Sequence, residues 1–200
     1  LGVSPNGNHP KMEEFTLKEG RVELRQAEYQ DYERIAQLHA KSWQQNYRGL
    51  VTDAYLDQYA EDDRIVVWQT RLTNPSFNQN VLILENEGEL CGFICVYGNH
   101  NFEYGTIIDN LHIDSAYQGH GLGTKLMLEA AKWAEKYFPD SGVYLEVLDQ
   151  NVAAKHFYLA LGATQSHLSD WKAPCGSKVK EAVFTWTSPS ILLRKAETFV

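Results

Sequence analysis

The chain has 200 residues, enough for one domain with a sizeable core, and its 18 Lys and Arg against 26 Asp and Glu leave a net charge of −8. That acidic balance disfavours non-specific nucleic-acid binding, which needs Lys and Arg to neutralise phosphates. Cys91, Cys95 and Cys175 form no C-x-x-C pair or even framework, and no apolar run reaches the roughly 20 residues that span a bilayer. The polar start lacks a signal-peptide core, so we expect a soluble cytoplasmic protein with reduced thiols, no membrane association and no nucleic-acid partner.

Residues 1–20 mix Gly, Pro, Asn and Lys without periodicity and are expected to be an N-terminal arm, either ordered or in part an expression remnant, with no assigned function. The main domain is expected over 21–187 and a tail over 188–200. Alternation in Arg21-Val22-Glu23-Leu24-Arg25 predicts the first strand. A helix should follow from about Tyr29 to Gln45, because Tyr32, Ile35, Ala36, His39 and Trp43 recur at three- and four-residue intervals. His39 and Trp43 read as core or cleft wall.

Tyr47-Arg48-Gly49-Leu50 breaks that helix, and Thr52-Asp53 suits a new N-cap. Short helices are expected over Ala54–Tyr59 and Asp63–Leu72, with Ile65, Trp68 and Leu72 facing one way and Asn74-Pro75 ending the region. Val81–Leu84, the turn Asn86-Glu87-Gly88-Glu89 and Leu90–Tyr97 read as a hairpin of buried strands, and another strand runs from about Tyr104 to Ile113. Beyond Gly123 a helix carries Leu126, Ala130, Trp133, Ala134 and Tyr137 on one face until Pro139 stops it. Val143–Val147 is the next strand, Asn151 caps a helix over Val152–Leu161, and Gly162 suits its C-terminal end. Two strands should follow, near Thr164–Trp171 and Lys180–Trp186, ahead of a tail with the apolar patch Ile191-Leu192-Leu193.

Between the strand ending at Ile113 and the next helix lies Gln118-Gly119-His120-Gly121-Leu122-Gly123-Thr124. A helix start leaves several N–H groups without partners and carries partial positive charge, and glycines let backbone approach an anion. The pattern therefore suits a phosphate, although a ligand-free strand-to-helix turn would look much the same. It is neither a P-loop nor Gly-x-Gly-x-x-Gly, because the Lys-Ser/Thr and the third glycine are missing.

Gln118-x-x-Gly121-x-Gly123 resembles the pyrophosphate loop of the GNAT superfamily of acetyl-CoA-dependent N-acetyltransferases. Asn151-x-x-Ala154-x-x-Phe157-Tyr158-x-x-x-Gly162 resembles the second half of the same signature, and the element order over about 21–187 is similar too. The resemblance implies an α/β (α+β) GNAT fold: a mixed central sheet of about seven strands, splayed between the fourth and fifth, with helices on both faces. It implies acetyl-CoA as co-substrate, its pyrophosphate held by Gln118, Gly119, His120, Gly121, Leu122, Gly123 and Thr124. The main chain of Leu111, His112 and Ile113 would pair with the pantetheine arm, and Asn151 would bond the arm from the other side.

The implied reaction moves the acetyl group to a primary amine, on a small molecule or a peptide. Such an amine, with a pKa of about 10.4, must lose a proton before it attacks, and the departing sulfur must gain one. Tyr158 occupies the family's general-acid position. Asp109 lies on the strand entering the loop and is the first candidate to meet the acceptor amine, directly or through water, with Glu103 and Glu146 as runners-up. Trp43 and Tyr47, near Asp53 and Asp57, would suit a cationic acceptor through cation–π attraction and charge, though core packing explains the aromatics equally well. Asp109-x-x-His112-x-Asp114 is not read as a metal site, because alternation turns Asp109 and His112 to opposite faces. The competing reading is a non-catalytic acyl-CoA sensor or scaffold of the same fold. The apolar tail would allow a homodimer.

Overall fold

The computed structural model describes residues 13–17 and 20–200, so the expectation for the first twelve residues of the arm lies outside the described residues. Within the arm, β1 (Glu13–Leu17) is a strand, paired antiparallel with β2 (Gly20–Gln26). Two compact units make up the chain. One comprises the described residues up to Cys95 together with Asn110–Gly123, the other Val96–Asp109 and Thr124–Val200.

In the first unit the strand order is β1-β2-β3-β4-β5, where β3 is Gln79–Asn86, β4 is Glu89–Asn101 and β5 is Gly105–Ile113. A 3-10 turn at Tyr29–Asp31 leads into α1 (Tyr32–Asn46), followed by α2 (Asp53–Gln58) and α3 (Ala60–Thr73). The Thr52 hydroxyl caps α2 by accepting from the Tyr55 N–H at 3.4 Å, as the sequence signal implied. Buried Asp31 is gripped by Arg25 at 2.9 Å and Arg34 at 2.7 Å, and both arginines also reach Glu85. This network ties the start of α1 to β2 and β3. Gly92 lies where β4 crosses the end of β5: a Cβ there would stand 2.8 Å from the His112 carbonyl oxygen and 2.5 Å from Ile113 Cδ1.

In the second unit the order is β4-β5-β6-β8-β7, with β6 at Val143–Leu148, β7 at Thr164–Lys172 and β8 at Lys178–Trp186. The helices are α4 (Leu122–Tyr137), which begins at the end of the first unit, α5 (Val152–Ala160) and α6 (Pro189–Glu197). β5 and β6 are parallel, and their pairing consists of Thr106 with Val143 and Ile107 with Tyr144. At that closed end Gly105, at φ +89°, lies so near Gly142 that a Cβ would sit 2.3 Å from its carbonyl oxygen. Beyond Ile107 and Tyr144 the two strands continue without each other. This is the expected splay, between the fourth and fifth of the seven strands that follow β1.

The tail contains a helix that the sequence reading did not place. Pro189 stands in the first turn of α6, where its missing N–H costs nothing, and Leu192 and Ala196 are fully buried. Of the apolar patch Ile191-Leu192-Leu193, Leu192 is buried and Ile191 and Leu193 are half-buried. Among the described residues no helix is long and apolar enough to cross a membrane.

Candidate active site

In the first unit β5 ends at Ile113 and a 3-10 turn at Ser115–Tyr117 follows, capped by Asp114, whose Oδ1 accepts from the Ala116 N–H at 3.0 Å. The Asp114 N–H donates to the Cys91 carbonyl at 2.7 Å, and Gln118 Nε2 donates to the Ile113 carbonyl at 3.2 Å. These bonds anchor the loop to the end of its strand. Gly119 and Gly121 have φ of +83° and +76°, and a Cβ on either would meet nothing within 4 Å. Glycine is needed there for conformation, not for room. Gln118, Gly119, His120 and Gly121 are exposed, α4 begins at Leu122, and its first-turn N–H groups include those of Gly123 and Thr124.

His39 is 2% exposed and accepts from Trp68 Nε1 at its Nδ1, 3.0 Å away. Its ring centroid lies 4.8 Å from that of His112, which also packs on Phe93 at 5.3 Å and has Nδ1 2.8 Å from Ser42 Oγ. Burial holds His39 well below the usual imidazole range, helped by His112, Arg64 and Arg71, and pushes His112 down to about 4. Both are neutral core imidazoles at physiological pH.

Trp43 is buried, and the guanidinium of Arg64 lies 4.2 Å above its ring. Asp53 and Asp57 are both engaged by Arg48, at 3.2 and 2.5 Å. The cation–π position on Trp43 and the two nearby carboxylates are therefore taken by arginines of the chain itself. Half-buried Tyr47, with its ring 5.7 Å from that of Trp43, is the more accessible of the two expected acceptor-site aromatics.

In the second unit Asn151 caps α5, its Oδ1 accepting from the Ala154 N–H at 3.1 Å. Tyr158, about two helical turns beyond Asn151, is buried, with its ring 6.2 Å from Phe184 and 6.5 Å from Trp186. Burial pushes its phenol up to about 12, so it holds its proton throughout the neutral range.

The opposite face of the same strands carries the carboxylates. Ile107, Tyr144 and Val183 pack together there, with Tyr97 and Tyr104 against them. Two residues further along each strand on that face stand Asp109 on β5, Glu146 on β6 and Glu181 on β8, because side chains alternate with period two. The register pairs Glu146 with Val183 and Leu148 with Glu181, which makes Glu146 and Glu181 diagonal neighbours, and their side chains are hydrogen-bonded. Asp109 and Glu146 are exposed, whereas Glu181 is 8% exposed. Burial and the charges of Glu146 and Asp109 push Glu181 up to about 8. Glu103 lies in the turn before β5, at the closed end of the β5–β6 pair and away from these carboxylates.

Glu181 is the residue that sequence reasoning passed over. A signal was present: in Val179-Lys180-Glu181-Ala182-Val183 an acid occupies a position where alternation calls for an apolar side chain. No disulfide links the three cysteines, and burial raises the Cys91 thiol to about 11, which makes it unreactive. Among the described residues no group of three or more His, Cys, Asp or Glu could hold a metal ion.

The sequence model of the acetyltransferase (GNAT) family matches residues 32–163, and the chain belongs to that family. It is 32% identical over 105 residues to streptothricin acetyltransferase A of Bacillus subtilis (strain 168), a match covering 52% of this chain and 56% of that relative. The chain thus matches little more than half the length of that curated relative. Among solved structures, the PaiA N-acetyltransferase of Thermoplasma acidophilum in complex with coenzyme A is similar at a TM-score of 0.57 and 21% identity, covering 80% of this chain and 97% of that one. NAA60 of Arabidopsis thaliana in complex with acetyl-CoA is similar at a TM-score of 0.61 and 16% identity, covering 82% and 97%. Both likenesses are of fold.

Proposed function

We propose that the protein is a cytoplasmic N-acetyltransferase that moves the acetyl group of acetyl-CoA to a primary amine by direct attack on the thioester. The observation that carries this reading is the loss of β5–β6 pairing after Ile107 and Tyr144, which leaves main-chain groups of both strands available to an extended, amide-bearing arm. Pantetheine is such an arm. The loop Gln118–Thr124 suits its pyrophosphate, since two glycines at positive φ present backbone N–H groups at a helix start. The edge at Leu111, His112 and Ile113 would receive the arm. Asn151 uses Oδ1 for its cap, and its amide Nδ2, which has no partner among the described residues, would donate to a carbonyl of the arm.

Tyr158 is the acid. Its raised pKa keeps the phenol protonated, so its O–H is there to donate a hydrogen bond to the sulfur as negative charge develops and to relay the proton that leaves nitrogen. A carboxylate at the open edge, Asp109 or Glu146, faces the acceptor ammonium. The acidic balance and three carboxylates on one face favour a cationic acceptor, either a small-molecule amine or a peptide amine. Cysteines outside any disulfide suit a reducing compartment.

The test is release of free thiol from acetyl-CoA in the presence of L-lysine, cadaverine, benzylamine and a short lysine-containing peptide. Amine-dependent thiol release supports an enzyme. Tight binding of acetyl-CoA with no release for any amine would favour a sensor or scaffold instead.

A further inference from the structure

The carboxylate face of the second unit holds a pair of which the reaction outlined above offers a task only to Glu146 and none to Glu181. Glu181 is more than nine-tenths buried, yet its hydrogen-bond partner is another acid, Glu146. Neither has a cationic partner among the described residues, whereas Asp149 has Lys155 and Asp170 has Lys180. Directly across from Glu181 on β7 stands Ser169, whose Oγ is buried and makes no hydrogen bond. A buried acid with no base, beside an orphaned hydroxyl, is costly unless the arrangement serves a proton or a cation.

We propose that Glu146 and Glu181 act as one proton-accepting pair: Glu146, exposed on the strand that borders the gap, receives the proton of the acceptor ammonium, and Glu181 behind it positions Glu146 and shares that proton. This deepens the amine-acetylation reading and rests on it. Two hydrogen-bonded carboxyl groups hold one proton between them at neutral pH, because both cannot remain ionised at contact distance. As pH rises the pair loses that proton and becomes a base far stronger than an isolated carboxylate. Burial and its acidic neighbours push Glu181 up to about 8, close to working pH, where a general base is most effective.

The step balances. The ammonium gives one proton to the Glu146–Glu181 pair and becomes a neutral amine, whose nitrogen lone pair forms the C–N bond at the acetyl carbon. The C–S bond then breaks, with its electrons going to sulfur. The second proton leaves nitrogen as the thiolate is protonated through Tyr158, and the first passes from the pair to solvent. One amide, one thiol and one released proton result.

Other groups on this face belong to the same electrostatic setting. They are Asp109 on β5, Tyr144 on β6, and Tyr104 with His167, which lies on β7 with its Nδ1 3.5 Å from the Tyr104 hydroxyl. Asp109 adds negative charge that raises the pair further, and its replacement should lower the titration without abolishing it.

The experiment is the pH profile of kcat/KM for amine-dependent thiol release, measured on the full chain as wild type, Glu181→Gln, Glu181→Asp and Glu146→Gln. The ionisation of the amine itself is common to all four. Wild type should show an acid limb with a midpoint near 8. Glu181→Gln should move that limb by roughly three pH units toward the ordinary glutamate range, with the KM for acetyl-CoA unchanged. Glu181→Asp should keep a raised limb, and Glu146→Gln should lose about 10²-fold or more in kcat. Glu181→Asp carries the test if Glu181→Gln fails to fold, with Glu146→Gln as its reference. Wild-type profiles in the Glu181 variants, or full turnover in Glu146→Gln, would overturn the proposal while leaving amine acetylation intact. Absence of thiol release from wild type with every amine in the panel would overturn both, and is recognised before any variant is made.

Discussion

Each unit holds a pair of titratable groups in contact with one buried member, His39 beside His112 in the first and Glu181 beside Glu146 in the second. Burial drives His39, His112 and Glu181 toward neutrality, but their surroundings differ. His39 has an indole N–H from Trp68, His112 has the hydroxyl of Ser42, and aromatic rings enclose both. Such groups are satisfied and structural. Glu181 has another acid and an orphaned serine beside it, an arrangement poised to exchange a proton. A perturbed pKa alone does not distinguish a core residue from a working one; the hydrogen-bond partners do.

Substitutions can break this contrast, and the largest effect belongs to the second unit. Tyr158→Phe should lower kcat for thiol release by about 10²- to 10⁴-fold at saturating acetyl-CoA, with little change in CoA affinity measured by calorimetry. In the first unit the losses should appear in stability, not turnover. His39→Leu leaves Trp68 Nε1 buried without an acceptor and should cost roughly 2–3 kcal/mol in urea unfolding, with kcat close to wild type.

The pH dependence of stability follows from His112. Its folded pKa, near 4, is below the unfolded value of about 6.5, so below 6.5 the unfolded chain binds the extra proton and stability falls as pH drops toward 4. Urea unfolding at pH 5 should therefore show at most about 2 kcal/mol less from this group than at pH 7, since His112 is partly exposed as a residue. His112→Phe should flatten that slope. The smallest effect should come from the loop: Gly121→Ala forces an L side chain to φ +76° and should weaken CoA binding about tenfold, equivalent to roughly 1.4 kcal/mol.

Much of this was legible in sequence because the constraints are local. The Gln118–Gly123 spacing, the Asn151 cap and Gly162 at φ +88° after α5 are each set by backbone geometry within a few consecutive residues. The splay followed from family resemblance, and periodicity placed the first five helices to within a few residues. Helix α6 was missed because its apolar positions were read as a patch, although Ser188-Pro189 is a good helix start. The Glu146–Glu181 pair needs the register of β6 against β8, which no single stretch of sequence contains. Arg64 over Trp43 joins residues on two helices, so the aromatic looked available to a ligand when it was already covered.

The central claim is that an acetyl group passes from CoA sulfur to an amine nitrogen. Its most direct test is mass spectrometry of the amine panel after incubation with the full chain and isotopically labelled acetyl-CoA. We predict an amine that gains one labelled acetyl group on nitrogen, in step with thiol release and slowed about 10²-fold or more by Tyr158→Phe. Acetyl-CoA that binds and remains intact with every amine, or a label found elsewhere than on nitrogen, would contradict the account.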